Sequence, residues 1–77
     1  MLAVDLKEAF DGGKGNWFSV LLLRLIAKSD EENRDKLALG FPAHVRAVWI
    51  YKNDCPYVEK GGDVDWNEIA RRAEEPV

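Results

Sequence analysis

The sequence predicts an all-α fold, a small bundle of four to five short helices around one apolar central helix. Two observations carry this prediction. One strongly apolar stretch is too hydrophobic to stand alone in water, and the segments around it show helical spacing bounded by residues that start or stop helices. A chain of 77 residues has surface enough to bury only one core. Residues 1–77 are therefore expected to form a single small helical domain.

The predicted central helix is the stretch NWFSVLLLRLIAK, residues 16–28. Asn16 has a side-chain oxygen suited to capping the first turn. Up to the final lysine, only Ser19 and Arg24 interrupt the apolar residues. A helix that is apolar on most sides must be covered on most sides. Few large apolar residues remain to cover it, so part of Trp17–Ile26 is expected to be exposed in a monomer or covered by another chain.

A shorter helix is predicted ahead of the central one. Its apolar residues recur at helical spacing: Leu2, Leu6, Ala9 and Phe10. Residues 2–6 also alternate in the manner of a strand, which leaves a second interpretation open. The glycine-rich segment DGGKG, residues 11–15, ends either element because glycine loses much backbone entropy when it is ordered.

Two further helices are predicted after the central one. Ser29 and Glu32 have the spacing of a capping box, which favours a bend near Ser29 and a new helix. The alternative is one helix over residues 17–39, since neither glycine nor proline interrupts them. Gly40 and Pro42 then indicate a corner between helices, followed by a helix over residues 42–53.

The C-terminal helix is predicted from Trp66 to Glu74, with Asp65 as its N-cap and Glu68 completing a capping box. Residues 54–65 are predicted to be irregular. The alternative is a hairpin over residues 57–66, which would make the fold α+β. In the helical interpretation, three elements each contribute one tryptophan that is expected to be buried: Trp17, Trp49 and Trp66.

Composition argues against several classes of partner. The net charge of −3 and the pI near 5.0 argue against nucleic acid, whose binding domains are normally basic. The longest apolar run is shorter than the roughly 20 residues of a membrane span and contains Arg24. The single cysteine favours a reducing cytoplasm, and the acidic residues near the N-terminus do not fit a secretory signal.

No residue pattern in the chain is typical of a catalytic, metal or cofactor site. The segment DGGKGN lacks the terminal Lys-Ser/Thr of a phosphate-binding loop. His44 and Cys55 are the only histidine and cysteine, so a zinc site would need carboxylates, and a Cys–His pair would lack a recognisable oxyanion hole. Helix capping explains the clustered carboxylates. We therefore expect a non-enzymatic protein without a cofactor.

Two binding surfaces remain as hypotheses. The main one is a protein interface on the central helix and the following aromatic helix, because aromatic and arginine side chains often anchor interfaces. Its candidate residues are Trp17, Leu21, Arg24, Leu25, Arg46, Trp49 and Tyr51. The alternative is a helix-turn-helix over residues 36–53 that contacts DNA. Its candidate contacts are His44, Arg46, Lys52 and Asn53.

Residues 15–49 carry a resemblance to a known group of proteins. Their elements G-N-[aromatic], L-L-x-L-I-x-K, D-x-x-N-R and G-F-P-x-x-V are similar to those of small uncharacterised proteins of bacteriophages and prophages. The resemblance covers a little under half of the chain and includes no catalytic signature. It implies a phage-borne accessory protein in the cytoplasm of a bacterial host. The apolar excess of the central helix and the lack of a recognisable active site favour a protein that acts by binding a host protein or as a homodimer.

Overall fold

The computed structural model describes residues 2–53 and 64–75, and these form an all-α bundle without a strand. Its five helices are α1 (Leu2–Phe10), α2 (Phe18–Lys28), α3 (Glu31–Gly40), α4 (Pro42–Asn53) and α5 (Trp66–Glu74). The predicted fold class is confirmed. Most residues of the alternative hairpin, 57–63, lie outside the described part, and its last residue, Trp66, begins α5.

The core lies between α1, α2, α4 and α5. Leu6, Leu23, Ile26 and Ile69 are almost fully buried there, one or two from each of three helices. Small residues of α4, such as Ala47, let that helix approach closely. Helix α3 contributes no buried residue and packs chiefly against α4. It therefore lies at the side of the bundle.

The bend between α2 and α3 confirms the prediction of two helices over residues 17–39, but the cap is a different residue. Ser29 has extended backbone angles (φ −73°, ψ 150°), and its hydroxyl donates to the carbonyl of Ile26 at 2.7 Å. Asp30 is the N-cap of α3 and accepts the N–H of Asn33 at 2.9 Å. The predicted capping box at Ser29 is wrong because the serine closes α2 instead of opening α3.

The start of α2 also differs from the prediction. Trp17, not Asn16, is the N-cap residue, and it makes no side-chain cap bond. The two later helix starts agree with the sequence: Pro42 is the first residue of α4, and Asp65 caps α5 by accepting the N–H of Glu68 at 3.1 Å. Backbone capping is thus well predicted where a carboxylate or a proline dictates it.

The expected burial of the three tryptophans is wrong for two of them. Trp17 is 46% exposed and Trp49 is 49% exposed. Only Trp66 packs against the core, with its ring 5.2 Å from that of Tyr51. The indole N–H of Trp17 reaches Asp5 of α1 while the ring stays half exposed at the start of α2, and the ring of Trp49 lies on the exposed side of α4.

Gly13 is expected to tolerate no side chain. A Cβ atom there would lie 2.5 Å from the carbonyl oxygen of Glu8, which is fixed in α1. We predict that Gly13→Ala lowers the free energy of unfolding by about 1–3 kcal/mol through overpacking. A Cβ atom on Gly40 would meet nothing within 4 Å. The matched variant Gly40→Ala, at the end of α3, should be neutral or stabilising by up to about 1 kcal/mol.

Urea denaturation followed by circular dichroism measures both effects. Equal midpoints for Gly13→Ala and the wild-type protein would contradict the close approach of residue 13 to α1.

Candidate protein interface

The segment between α1 and α2 is held by one side chain of α2. The guanidinium of Arg24 donates to the carbonyl oxygens of Glu8 (3.2 Å) and Ala9 (3.3 Å) near the end of α1. It also donates to the carbonyls of Gly13 (2.8 Å) and Gly15 (3.0 Å) in the glycine-rich segment. Arginine suits this position because its planar fork carries five donors. We call this set of bonds the Arg24 clamp.

Two carboxylates of α1 hold the same segment from the other side. The Glu8 carboxylate accepts the N–H of Gly15 at 2.7 Å. Asp5, which is only 8% exposed, accepts the indole N–H of Trp17 at 2.7 Å. The charge on Asp5 is thus met by a strong donor, as a buried carboxylate requires. Together with the Arg24 clamp, these bonds set the rotation of α2 against α1.

The rotation of α2 leaves one apolar side uncovered. Phe18 is 68% exposed, Leu21 is 50% exposed and Leu25 is 55% exposed. Their spacing of i, i+3 and i+7 places the three side chains on one face of the helix. We call this face the α2 stripe. Trp17 precedes this face in the sequence, but its half-exposed ring is bonded to Asp5 of α1.

A cleft adjoins the C-terminal half of the α2 stripe. It lies between α2 and α3 and has a volume of about 610 Å³. Leu25 on α2 and Leu37 on α3 supply its apolar walls, and Lys28, Asp30 and Lys36 form part of its polar lining. We call it the α2–α3 cleft. Leu25 belongs to both features, so stripe and cleft form one continuous surface.

At the opposite end of the stripe, Phe18 meets the corner between α3 and α4. Its ring lies 6.0 Å from that of Phe41, and the ring of Phe41 lies 5.9 Å from that of His44 in an edge-on arrangement. These contacts support one side of Phe18 while most of its surface stays open. The Phe18 ring therefore projects from the protein surface and is supported on one side only.

Two of the predicted interface residues, Leu21 and Leu25, lie together on this surface. The half-exposed ring of Trp17 is bonded to Asp5 of α1 instead. Trp49 is exposed on another helix, α4. Tyr51 is half-buried and stacks on Phe10 with ring centroids 4.7 Å apart, which makes it part of the packing between α1 and α4. The aromatic side of α4 is thus divided between an exposed ring and a structural one.

The two predicted arginines serve the fold itself. Arg24 forms the clamp described above. Arg46, which the sequence predicts for both the protein and the DNA surface, donates to the carbonyls of Ala73 (3.2 Å) and Glu75 (2.9 Å) at the end of α5. Carbonyls at a helix C-terminus lack partners within the helix, and a cation there is favourable.

The other candidate DNA contacts are also engaged within the chain. Lys52 donates its ammonium to the carbonyl of Ala27 at 2.9 Å, and Asn53 donates to a carbonyl one turn earlier in α4 at 3.2 Å. His44 is half-buried beside Phe41. The corner between α3 and α4 exists as the DNA hypothesis requires. The side chains of Arg46, Lys52 and Asn53, however, donate hydrogen bonds to carbonyls of their own chain.

Phe18 and Leu37 are the surface residues that the sequence analysis missed. The signal for Phe18 was present, because residues 18, 21 and 25 share one helical face. Its side of the helix could not be distinguished from the side of Val20 and Leu23 without knowing where α1 and α4 pack. The exposure of Leu37 to the cleft depends on the angle of α3, which has no local signal.

The described residues hold no cluster of three or more His, Cys, Asp or Glu side chains placed to bind a metal ion. Cys55 lies outside the described residues, so the structure does not bear on the Cys55–His44 pair that the sequence argues against. No helix within the described ranges has the length and apolarity needed to cross a membrane.

The pKa of Glu68 is lowered to about 2 by hydrogen bonds from Arg71 and Arg72, which keeps this carboxylate ionised.

The chain matches no protein-family model, no curated protein and no solved structure. The case for a function therefore depends on the geometry of the α2 stripe and the α2–α3 cleft.

Replacement of Arg24 tests the clamp. Lysine keeps the charge but concentrates it on one nitrogen, which cannot reach four separate carbonyls. We predict that Arg24→Lys lowers the free energy of unfolding by about 2–3 kcal/mol. Arg34→Lys on α3, a helix without buried residues, is the matched control and should change it by less than about 0.5 kcal/mol.

Chemical denaturation compares the two variants, and amide hydrogen exchange at Gly13 and Gly15 locates the change. Equal losses in both variants, or unchanged exchange at these glycines in Arg24→Lys, would contradict the clamp.

Proposed function

We propose that this chain is a non-enzymatic, phage-type accessory protein that acts by binding a protein through the α2 stripe and the α2–α3 cleft. The observation that carries the proposal is the exposure of Phe18, Leu21 and Leu25 on one face of a helix, at 50–68% each. The largest exposed apolar patch of a protein often marks a binding site.

The size of the surface supports this proposal. Three large apolar side chains at half exposure or more present about 300 Å² of apolar area. Covering that area would contribute about 8 kcal/mol before the costs of association. This is of the size expected for the apolar centre of an interface whose rim is polar.

The shape of the surface favours a helical partner. A convex helix face beside a cleft is the geometry in which an amphipathic helix lies along a groove and places apolar side chains at i, i+3 or i+4. The apolar walls at Leu25 and Leu37 would hold such a side chain. Lys28, Asp30 and Lys36 border the cleft, so its edge offers both signs of charge to polar residues of a partner helix.

The proposed phage origin rests on the resemblance of residues 15–49 to small phage and prophage proteins. It supports the cytoplasm of a bacterial host as the compartment. The exposed α2 stripe supports a host protein or a second copy of the chain as the partner. We favour protein binding over the DNA-binding alternative because Arg46, Lys52 and Asn53 donate to carbonyls of their own chain. The net charge of −3 adds to that preference.

Substitution of Leu21 tests the proposed surface. Leu21→Lys places a charge at the centre of the α2 stripe and should weaken partner binding at least tenfold. Stability should change little, since Leu21 is half exposed. Leu39→Lys is the matched control because Leu39 is 88% exposed on α3 and lies outside the cleft lining.

The measurement is quantitative affinity capture from a host lysate with the wild-type chain and both variants as bait. The proposal predicts proteins that are retained by the wild-type chain and Leu39→Lys but lost with Leu21→Lys. Equal retention by all three baits would show that binding, where it occurs, uses another surface.

A further inference from the structure

We infer that the α2 stripe binds a second copy of this chain, with the two α2 helices antiparallel and each Phe18 ring seated in the α2–α3 cleft of the other copy. The inference rests on the proposed function, since it takes the stripe and cleft as a protein interface. It adds the identity of the occupant and the direction of the contact.

The α2 stripe and the α2–α3 cleft are complementary in shape. The N-terminal end of the stripe projects, because the Phe18 ring is 68% exposed. Its C-terminal end is hollow, because Leu25 and Leu37 wall a cleft of about 610 Å³. Phe18 and Leu25 are separated by about 10 Å along the helix axis. Two antiparallel copies that meet at Leu21 therefore bring each projection opposite the other copy's cleft.

A parallel pairing uses the same surface less well. It would place ring against ring at one end and cleft against cleft at the other, so both clefts would stay unfilled. Aromatic side chains contribute most to binding when they fill a pocket of the partner. The antiparallel arrangement satisfies this condition twice, once for each copy.

The charge on Lys28 also favours the antiparallel direction over the parallel one. Lys28 follows Leu25 on the same side of α2 and is exposed. Parallel helices would bring the two Lys28 ammonium groups together and align the helix dipoles. Antiparallel helices that meet at Leu21 separate these lysines by about 20 Å along the axis. Lys28 lines the cleft that receives the other copy's Phe18 ring, and the face of that ring attracts a cation.

The exposed area on each copy is small. Phe18, Leu21 and Leu25 present roughly 300 Å² of apolar side-chain surface, which is under half of what one partner buries in a standard interface. The polar walls of the cleft, including Asn33 and Lys36, add to it. A contact of this size belongs to the weak, reversible class of interfaces. Because a two-fold contact uses the stripe of both copies, assembly stops at two chains.

Disulfide trapping distinguishes the two directions. In a Cys55→Ser background, Leu21→Cys places the thiol at the two-fold axis, where the two Cα atoms approach closely. In the antiparallel dimer, the two Leu25→Cys positions are offset by about 12 Å along the axis, beyond the roughly 7 Å that a disulfide spans. Leu39→Cys, on the exposed side of α3, measures bonds formed by random collision.

The expected result is rapid dimer formation by Leu21→Cys, with Leu25→Cys and Leu39→Cys equally slow on non-reducing gels. Rapid bonding of both Leu21→Cys and Leu25→Cys would overturn the antiparallel direction. Sedimentation equilibrium of the unmodified chain should show a monomer–dimer equilibrium, and Phe18→Ala should raise its dissociation constant at least tenfold.

A chain that remains monomeric up to 100-fold above the concentrations of the trapping experiment would overturn the inference. Retention of a host protein by that monomer, with loss in Leu21→Lys, would leave the proposed function standing with a different occupant. A monomer that retains nothing would contradict both.

Discussion

The placement of α2 depends on the guanidinium of Arg24. A segment with three glycines in five residues loses much backbone entropy on ordering, and its carbonyls need partners once they are removed from water. Arg24 supplies donors to two of these carbonyls and to two more at the end of α1. One side of α2 is thereby held against α1. The opposite rotation would bury Phe18 and expose the arginine, and it would leave those carbonyls without their donors.

Helix α3 determines what becomes of the side that remains open. It carries few apolar residues, buries none of them and packs against α4 beside the core. A more apolar α3 would have covered the α2 stripe and closed the cleft. Its polarity instead leaves Leu25 and Leu37 facing a shared space. The exposed surface is thus a consequence of two features, the Arg24 clamp on one side of α2 and a polar neighbour on the other.

The helical elements could be predicted because their signals are local. The spacing of Leu2 and Leu6, the proline at residue 42 and the carboxylate of Asp65 each act within one turn of the chain. The excess of apolar residues in Trp17–Ile26 also predicted, correctly, that some would be exposed. The roles of Arg24, Arg46 and Trp17 could not be predicted, since each depends on a hydrogen bond to a residue nine or more positions away. For the same reason, Arg24 and Arg46, which resembled interface anchors, proved to hold the fold together.

The central claim is that the outer face of α2 is open to solvent in the single chain and becomes covered by another protein. Methyl NMR with a soluble paramagnetic probe tests it directly. In dilute protein, the methyl groups of Leu21 and Leu25 should relax strongly, whereas those of Leu22 and Leu23 should be protected. Protection of Leu21 and Leu25 should then appear as the chain is concentrated or as a captured partner is added. Equal protection of all four leucines in dilute, monomeric protein would contradict the account.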